Sequence, residues 1–256
     1  MMAVPIMAQT ATTRYVDLAN TSSTPGWGTT QFATIQAAIN AAVDGDIIQI
    51  AAGTYTEQLT VNKSLTIQGV DVNTVIIKTT NLLGNYGLHL TKSNSTLKNL
   101  TIEATWIDKG LYPIHISGTS NLPGKVIENI TVENLKITGS TYRTGLDIHG
   151  VTGVTLTNID SRNATNGNGV QVTGCHNVTM TNITTASNTW GGIAIYSSKP
   201  EFSGRGSNNV TINGNSCSIS DFPQIYSEKG YGFENTNITV NGYPYQTRNS
   251  FVGTLS

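Results

Sequence analysis

Gly145-Leu146-Asp147-Ile148 is one of five copies of a short segment whose return decides the fold. The others are Gly87-Leu88-His89-Leu90, Pro113-Ile114-His115-Ile116, Gly169-Val170-Gln171-Val172 and Gly192-Ile193-Ala194-Ile195. Each places two aliphatic residues around one variable residue, so period-two alternation points the aliphatics to one side and the variable residue to the other. Asn-aliphatic-Thr follows most copies, as in Asn99-Leu100-Thr101, Asn129-Ile130-Thr131, Asn177-Val178-Thr179 and Asn209-Val210-Thr211. A unit returning every 23 to 32 residues marks a stacked repeat. No repeat contains a helix-length periodic segment, which excludes leucine-rich and helical repeats. What remains is an all-β chain, a parallel β-helix solenoid whose rungs stack about 4.8 Å apart around aliphatic ladders.

The turns agree. Two residues after the core aliphatics Val132, Leu156, Met180, Ile212 and Val240 stand Asn134, Asn158, Asn182, Gly214 and Gly242. Asn and Gly tolerate a left-handed backbone, so one sharp bend is expected at one place in every rung. Stacked Asn side chains can also hydrogen-bond along such a ladder.

Composition narrows the function. The chain has 256 residues, 11% of them charged, and a formal net charge of -1. Disorder needs low hydrophobicity together with high net charge, which is absent. A neutral balance gives no support for nucleic-acid binding, and no apolar run approaches a membrane span. Cys175 and Cys217 fit no metal-ligand spacing and read as small buried hydrophobes rather than a disulfide. The Asn-X-Ser/Thr triplets read as products of the repeat rather than glycosylation acceptors.

Residues 1–13 read as the remnant of a secretory signal or a disordered start, an apolar stretch ending in small residues. Residues 14–46 hold a strand and a helix from Phe32 to Val43, with Phe32, Ile35, Ala38, Ile39 and Ala42 at helical spacing and Asp44-Gly45-Asp46 as the stop. That helix is placed to cap the N-terminal end of the solenoid. Residues 47–242 form the rungs. The tail, 243–256, is too short for a rung and reads as either a C-terminal tail or a partial cap over the last one. A monomer is expected unless that last rung is left bare.

A resemblance enters with the residues Phe32-Ala33-Thr34-Ile35-Gln36-Ala37-Ala38-Ile39-Asn40-Ala41-Ala42, Gly45-Asp46, Gly53-Thr54-Tyr55-Thr56-Glu57 and Asn62-Lys63-Ser64-Leu65-Thr66-Ile67. Together they resemble the opening of pectin methylesterases and of many bacterial proteins in the pectin lyase-like superfamily. The likeness covers about the first quarter of the chain and marks a fold rather than a chemistry. It implies a single-stranded, right-handed parallel β-helix in a secreted or cell-surface (extracellular or periplasmic) protein that meets polysaccharide. The activities of such families do not carry over. The Gly-Thr-Val-Asp-Phe segment of the esterases has no counterpart here. The aspartates of polygalacturonases are replaced by Arg143-Thr144-Gly145 and Trp190-Gly191-Gly192, so the carboxylate pair for hydrolysis is missing. A calcium cofactor needs six to eight oxygens, and no acidic cluster stands out to supply them. No cofactor is expected.

The variable residues are the remaining place for chemistry. His89, His115, Asp147, Gln171 and Ala194 are expected to stack outward, neighbours about 5 Å apart. Gly87, Pro113, Gly145, Gly169 and Gly192, two residues earlier, are expected outward as a floor. Asn85, Arg143 and Trp190, with Tyr86, Tyr112 and Tyr142, form one edge; Ser117, His149 and Tyr196 form the other. Substrate binding is assigned to His89, Gln171, Tyr86, Tyr112, Tyr142, Trp190 and Tyr196, and catalysis to His115, Arg143, His149 and Asp147. Three His and a carboxylate suit zinc, but ligands spread over three rungs converge poorly, so no metal is assigned. For an enzyme, β-elimination on a uronate polymer is the workable chemistry, with His115 or His149 as base and Arg143 stabilising the developing charge. Lys125 and Arg162 stand in reserve. A polysaccharide lyase, a non-catalytic surface or adhesin-like module, and a fragment of a larger polysaccharide-active enzyme all remain open, because function lives in the site and not the scaffold.

Overall fold

The computed structural model describes residues 10–79, 86–105, 112–118, 126–140, 142–246 and 248–249. Alternation does what the pattern requires. Leu88 and Leu90, Ile114 and Ile116, Leu146 and Ile148, Val170 and Val172, and Ile193 and Ile195 are all buried in one continuous core. Their strands form an eight-stranded sheet among the described residues, running from Leu59–Val61 through Tyr86–Leu90, Tyr112–Ser117, Leu146–His149, Asn168–Thr173, Gly191–Tyr196 and Ile225–Lys229 to Arg248–Asn249. Every pairing in it is parallel. A second, larger sheet closes the other side of the core, with the long strands Ser95–Thr105, Ile127–Ser140, Val151–Arg162 and His176–Ala186 at its centre. One helix, Ile35–Ala41, is present among the described residues. None of them forms a helix long and apolar enough to cross a membrane.

The long strands turn a corner at asparagine. Asn134, Asn158 and Asn182 have φ of 48, 55 and 56°, and Gly214 and Gly242 continue the series at 60 and 81°. Leu135, Ile159 and Ile183 beyond the bend are buried like Val132, Leu156 and Met180 before it, so each strand wraps the core. Asn134 Nδ2 donates to Asn99 Oδ1 at 3.0 Å, Asn158 to Asn134 at 2.8 Å and Asn182 to Asn158 at 3.1 Å. A second asparagine bend precedes it in the same rungs, with Asn129 donating to Asn94 at 2.9 Å and Asn209 to Asn177 at 2.9 Å. This second bend corrects one alignment. Leu100 pairs with Leu135 and Ser95 with Ile130, so Asn99-Leu100-Thr101 belongs to the later bend, not beside Asn129-Ile130-Thr131. Both bends read Asn-X-Thr at this point, which makes the slip invisible in sequence.

The helix is shorter than its periodicity suggests, because Phe32 joins the strand Gln31–Phe32 and Thr34 is the N-cap. Glu57 accepts the N–H groups of Ile35 and Gln36 at 2.8 and 2.9 Å. Lys63 Nζ donates to the carbonyls of Ile39, Asn40 and Ala42 at 3.0, 2.7 and 2.6 Å. An anion at the first turn and a cation at the last both suit the helix dipole. Ile35, Ala38 and Ile39 are buried against the core. Asp46 does more than stop the helix: it accepts the N–H groups of Thr12 and Val43 and the Arg14 guanidinium. In the tail, Tyr243–Pro244 pairs antiparallel with Thr239–Val240, and Tyr245 packs on the core with its hydroxyl on the Ile225 carbonyl at 2.6 Å. Both cysteines are free thiols, Cys175 in the core and Cys217 against it.

Candidate functional site on the eight-stranded sheet

In-register parallel pairing brings the variable residues into one column: Thr60, His89, His115, Asp147, Gln171, Ala194 and Tyr226. A trailing column holds Ser117, His149, Thr173, Tyr196 and Glu228. A leading set comprises Tyr86 paired with Tyr112, and Asn168 paired with Gly191. The glycines are not a floor. A Cβ on Gly145 would meet Ser161 Oγ at 2.2 Å, on Gly87 Thr79 Cγ2 at 2.8 Å, and on Gly192 Thr185 Oγ1 at 2.5 Å. Thr79, Ser161 and Thr185 are buried residues of the opposite sheet's strands, so these glycines face inward at the corner where the chain starts each strand. Strict alternation fails there, and residues three before the column come to lie beside it.

The column is a buried polar network rather than a solvated spine. Asp147 is 0% exposed and its oxygens are fully engaged. Oδ2 receives His115 Nδ1 at 2.8 Å; Oδ1 receives His149 Nε2 at 3.0 Å and Gln171 Nε2 at 2.9 Å. Burial alone would push its carboxyl up, but the charge and hydrogen bond of His149 and those of His115 hold it well below the ordinary 3.8. A carboxylate only accepts, so each imidazole presents N–H to it, and His149 carries its proton on Nε2. His149 feels burial pulling its pKa down and Asp147 pulling it up; Asp147 prevails, leaving it above 6.5. His89, one rung beyond His115, has no carboxylate partner among the described residues. Burial first, and then His115, lower it to about 4.

Because Asp147 is an acceptor, Gln171 must turn its NH2 toward it and its Oε1 away. Oε1 then accepts Asn168 Nδ2 at 2.9 Å, Asn168 Oδ1 accepts the Tyr226 hydroxyl at 2.7 Å, and the Tyr226 oxygen accepts from Tyr196. Thr144 Oγ1 takes the Asn168 N–H at 3.1 Å. Every donor in this chain points toward the charge.

On the other flank Tyr86 stacks on His115 (centroids 4.5 Å, planes 9° apart) and lies 4.3 Å from His89. Tyr112 sits 5.4 Å from His115, and burial, followed by the Asp147 charge, raises its hydroxyl to about 12. Arg143 lies over Tyr112 and Tyr142 at 5.7 and 5.9 Å. At the trailing edge a cavity of about 500 Å³ is lined by His149, Gln171, Thr173, Tyr196, Ser197, Lys199, Phe202, Glu228, Lys229, Gly230 and Tyr231. Burial pushes Glu228 above the usual 4.5.

The structure therefore gathers His115, Asp147, His149, Gln171, Tyr86, Tyr112 and His89, with Tyr142 and Arg143 on the aromatic flank and Tyr196 on the cavity. It does not bring in Trp190, which is 43% exposed and does not line the cavity. Arg162 is engaged by Asp160 at 2.6 Å on the larger sheet. Asn85 and Lys125 lie outside the described residues. His115 Nδ1 and His149 Nε2 are spent on Asp147, and among the described residues no group of His, Cys, Asp or Glu is arranged to hold a metal ion. Sequence reading missed Asn168, Tyr226, Glu228, Lys199, Phe202, Lys229 and Tyr231. Ile225-Tyr226-Ser227 was a readable sixth copy, disguised because buried Ser227 replaces its second aliphatic.

No protein-family model matches the chain, and neither does any curated protein. Solved structures do. A pectin methylesterase in complex with a hexasaccharide superposes with a TM-score of 0.51 at 12% identity, over 94% of this chain and 93% of that one. Pectin methylesterase PemA from Erwinia chrysanthemi gives 0.52 at 12% identity over the same shares. These neighbours belong to the pectin lyase-like, right-handed β-helix superfamily, as the opening of the sequence led one to expect. What this chain shares with them at such identity is the fold.

Proposed function

We propose that this is an exported carbohydrate-active protein that binds an acidic, uronate-containing polysaccharide on the outward face of its eight-stranded sheet and cleaves it by β-elimination. The fold is read as a single-stranded β-helix with the helix Ile35–Ala41 covering its N-terminal end. The observation that carries the functional reading is the ionised, buried Asp147 holding His149 at the wall of a cavity that also contains Lys199 and Lys229. With Nε2–H on Asp147, neutral His149 offers its Nδ1 lone pair as base. Nδ1 takes the proton from the ring carbon next to the uronate carboxylate. The electron pair forms the new carbon–carbon double bond as the glycosidic oxygen leaves with its bonding pair and takes a proton from solvent water, and a lysine ammonium stabilises the enolate-like charge.

His149 is preferred over His115 because 26% of its side chain is exposed against 9%. Arg143 is assigned to ordering the aromatic flank rather than to the enolate. A pectin methylesterase neighbour solved in complex with a hexasaccharide supports the substrate class. The test is incubation with pectate, alginate and glycosaminoglycans, following the absorbance of the unsaturated product. Its rate should rise with pH through a value above 6.5, where His149 loses its proton. His149→Ala should abolish it, and full activity in that variant sinks the assignment. Binding without product from any polymer would leave a non-catalytic module.

A further inference from the structure

Phe233 N–H donates to the Gly230 carbonyl at 3.0 Å, closing a hairpin whose two central residues are Tyr231 and Gly232. Both have positive φ, 56 and 78°. This turn favours Asn-Gly, since its first position is left-handed and a bulky side chain is strained there. Tyr231 occupies it nonetheless, with 57% of its surface exposed, so packing does not explain its presence. Strain retained without a folding reason points to use. The hairpin is also held firmly: Ser197 Oγ accepts the Gly230 N–H at 2.6 Å and donates to its carbonyl at 3.0 Å.

Lys199 Nζ lies 5.7 Å from the Tyr231 ring centre, and both residues line the His149 cavity together with Lys229. The lysines' glutamate partners, Glu201 at 4.0 Å and Glu234 at 2.6 Å, do not line it. Tyr196 closes another side. The Tyr226 proton is given to Asn168, so the Tyr196 proton is given to Tyr226, and Tyr196 can offer the cavity only lone pairs. A hydroxyl is welcome there and a carboxylate is not.

From this we infer that Tyr231 is a stacking platform for one sugar ring of an acidic chain, with the ring's carboxylate toward Lys199 and Lys229 and a hydroxyl donating to Tyr196. The inference rests on the acidic-polysaccharide reading and gives it a seat and an orientation. Titration calorimetry with oligogalacturonate, its methyl ester and a sulfated neutral oligosaccharide tests it. Tyr231→Asn should raise the urea midpoint, by relieving the turn, while weakening oligogalacturonate binding about ten-fold or more; Tyr231→Phe should keep the affinity. Lys199→Ala should bring oligogalacturonate down to the affinity of its methyl ester. Undiminished affinity in Tyr231→Asn, a lowered urea midpoint in that variant, or preference for the sulfated ligand would overturn the inference while leaving acidic-glycan binding in place. Absence of binding to every acidic ligand by the unaltered protein overturns both.

Discussion

On the bent strands, Asn99, Asn134, Asn158 and Asn182 pass a hydrogen bond from rung to rung through the same two atoms each time. On the eight-stranded sheet, His115, Asp147, Gln171 and Ala194 occupy equally equivalent places, and no two are alike. Both stacks obey the same register. The first is repetitive because each rung must solve the same problem, a left-handed corner whose side chain finds a partner above and below. The second is heterogeneous because a buried charge organises it, and each neighbour is selected by its distance from that charge. Asp147 needs donors on both sides; Gln171 must relay; Tyr226 carries the relay across the gap that Ala194 leaves, and Tyr196 ends it.

The contrast can be broken most forcefully at its centre. Asp147→Ala leaves His115, His149 and Gln171 without their shared acceptor, and should lower stability by roughly 3–5 kcal/mol in urea titration. Tyr226→Phe leaves Asn168 Oδ1 short of a donor and the Tyr196 hydroxyl short of its acceptor, an expected loss of about 1–3 kcal/mol. Asn134→Gly keeps the corner but interrupts the ladder, and about 1 kcal/mol should go. Asn134→Ala should fall further, since Ala is strained at a φ of 48°. Equal losses for Gly and Ala would mean that backbone conformation plays no part.

The effects that depend on pH lie in the two histidines pushed in opposite directions. His89, at about 4 when folded against 6.5 unfolded, leaves the unfolded chain binding the extra proton between these values. Stability therefore falls as pH drops across that window, and His89→Gln should flatten the fall. His149 is raised, so its contribution is complete below 6.5 and disappears as pH climbs through its folded value. His149→Gln should remove that alkaline decline and leave the acid side unchanged.

How much could be read beforehand follows the same division. Alternation and asparagine bends are statistical properties of many rungs, so the parallel sheets around an aliphatic core were legible from Leu88, Ile114, Leu146 and their repeats. The His115–Asp147–His149 grouping was legible too, because register alone places those residues side by side. The inward glycines were misjudged because period-two reasoning runs straight through a corner where Gly145 and Leu146 face the same way. Tyr231, Lys199 and Phe202 lie on connections, where no period exists to predict them.

One consequence of the register concerns length. Asp147 and Gln171 are 24 residues apart and occupy the same place on successive passes. Excision of Gly145 to Asn168 would splice Thr144 to Gly169 and set Gln171 over His115, while Asn182 would inherit Asn134 as its ladder partner. The corridor of aliphatics would close again one storey lower, with Asp147 and His149 gone. A scaffold that would lose a floor without losing its shape would leave its chemistry free to be rewritten one floor at a time.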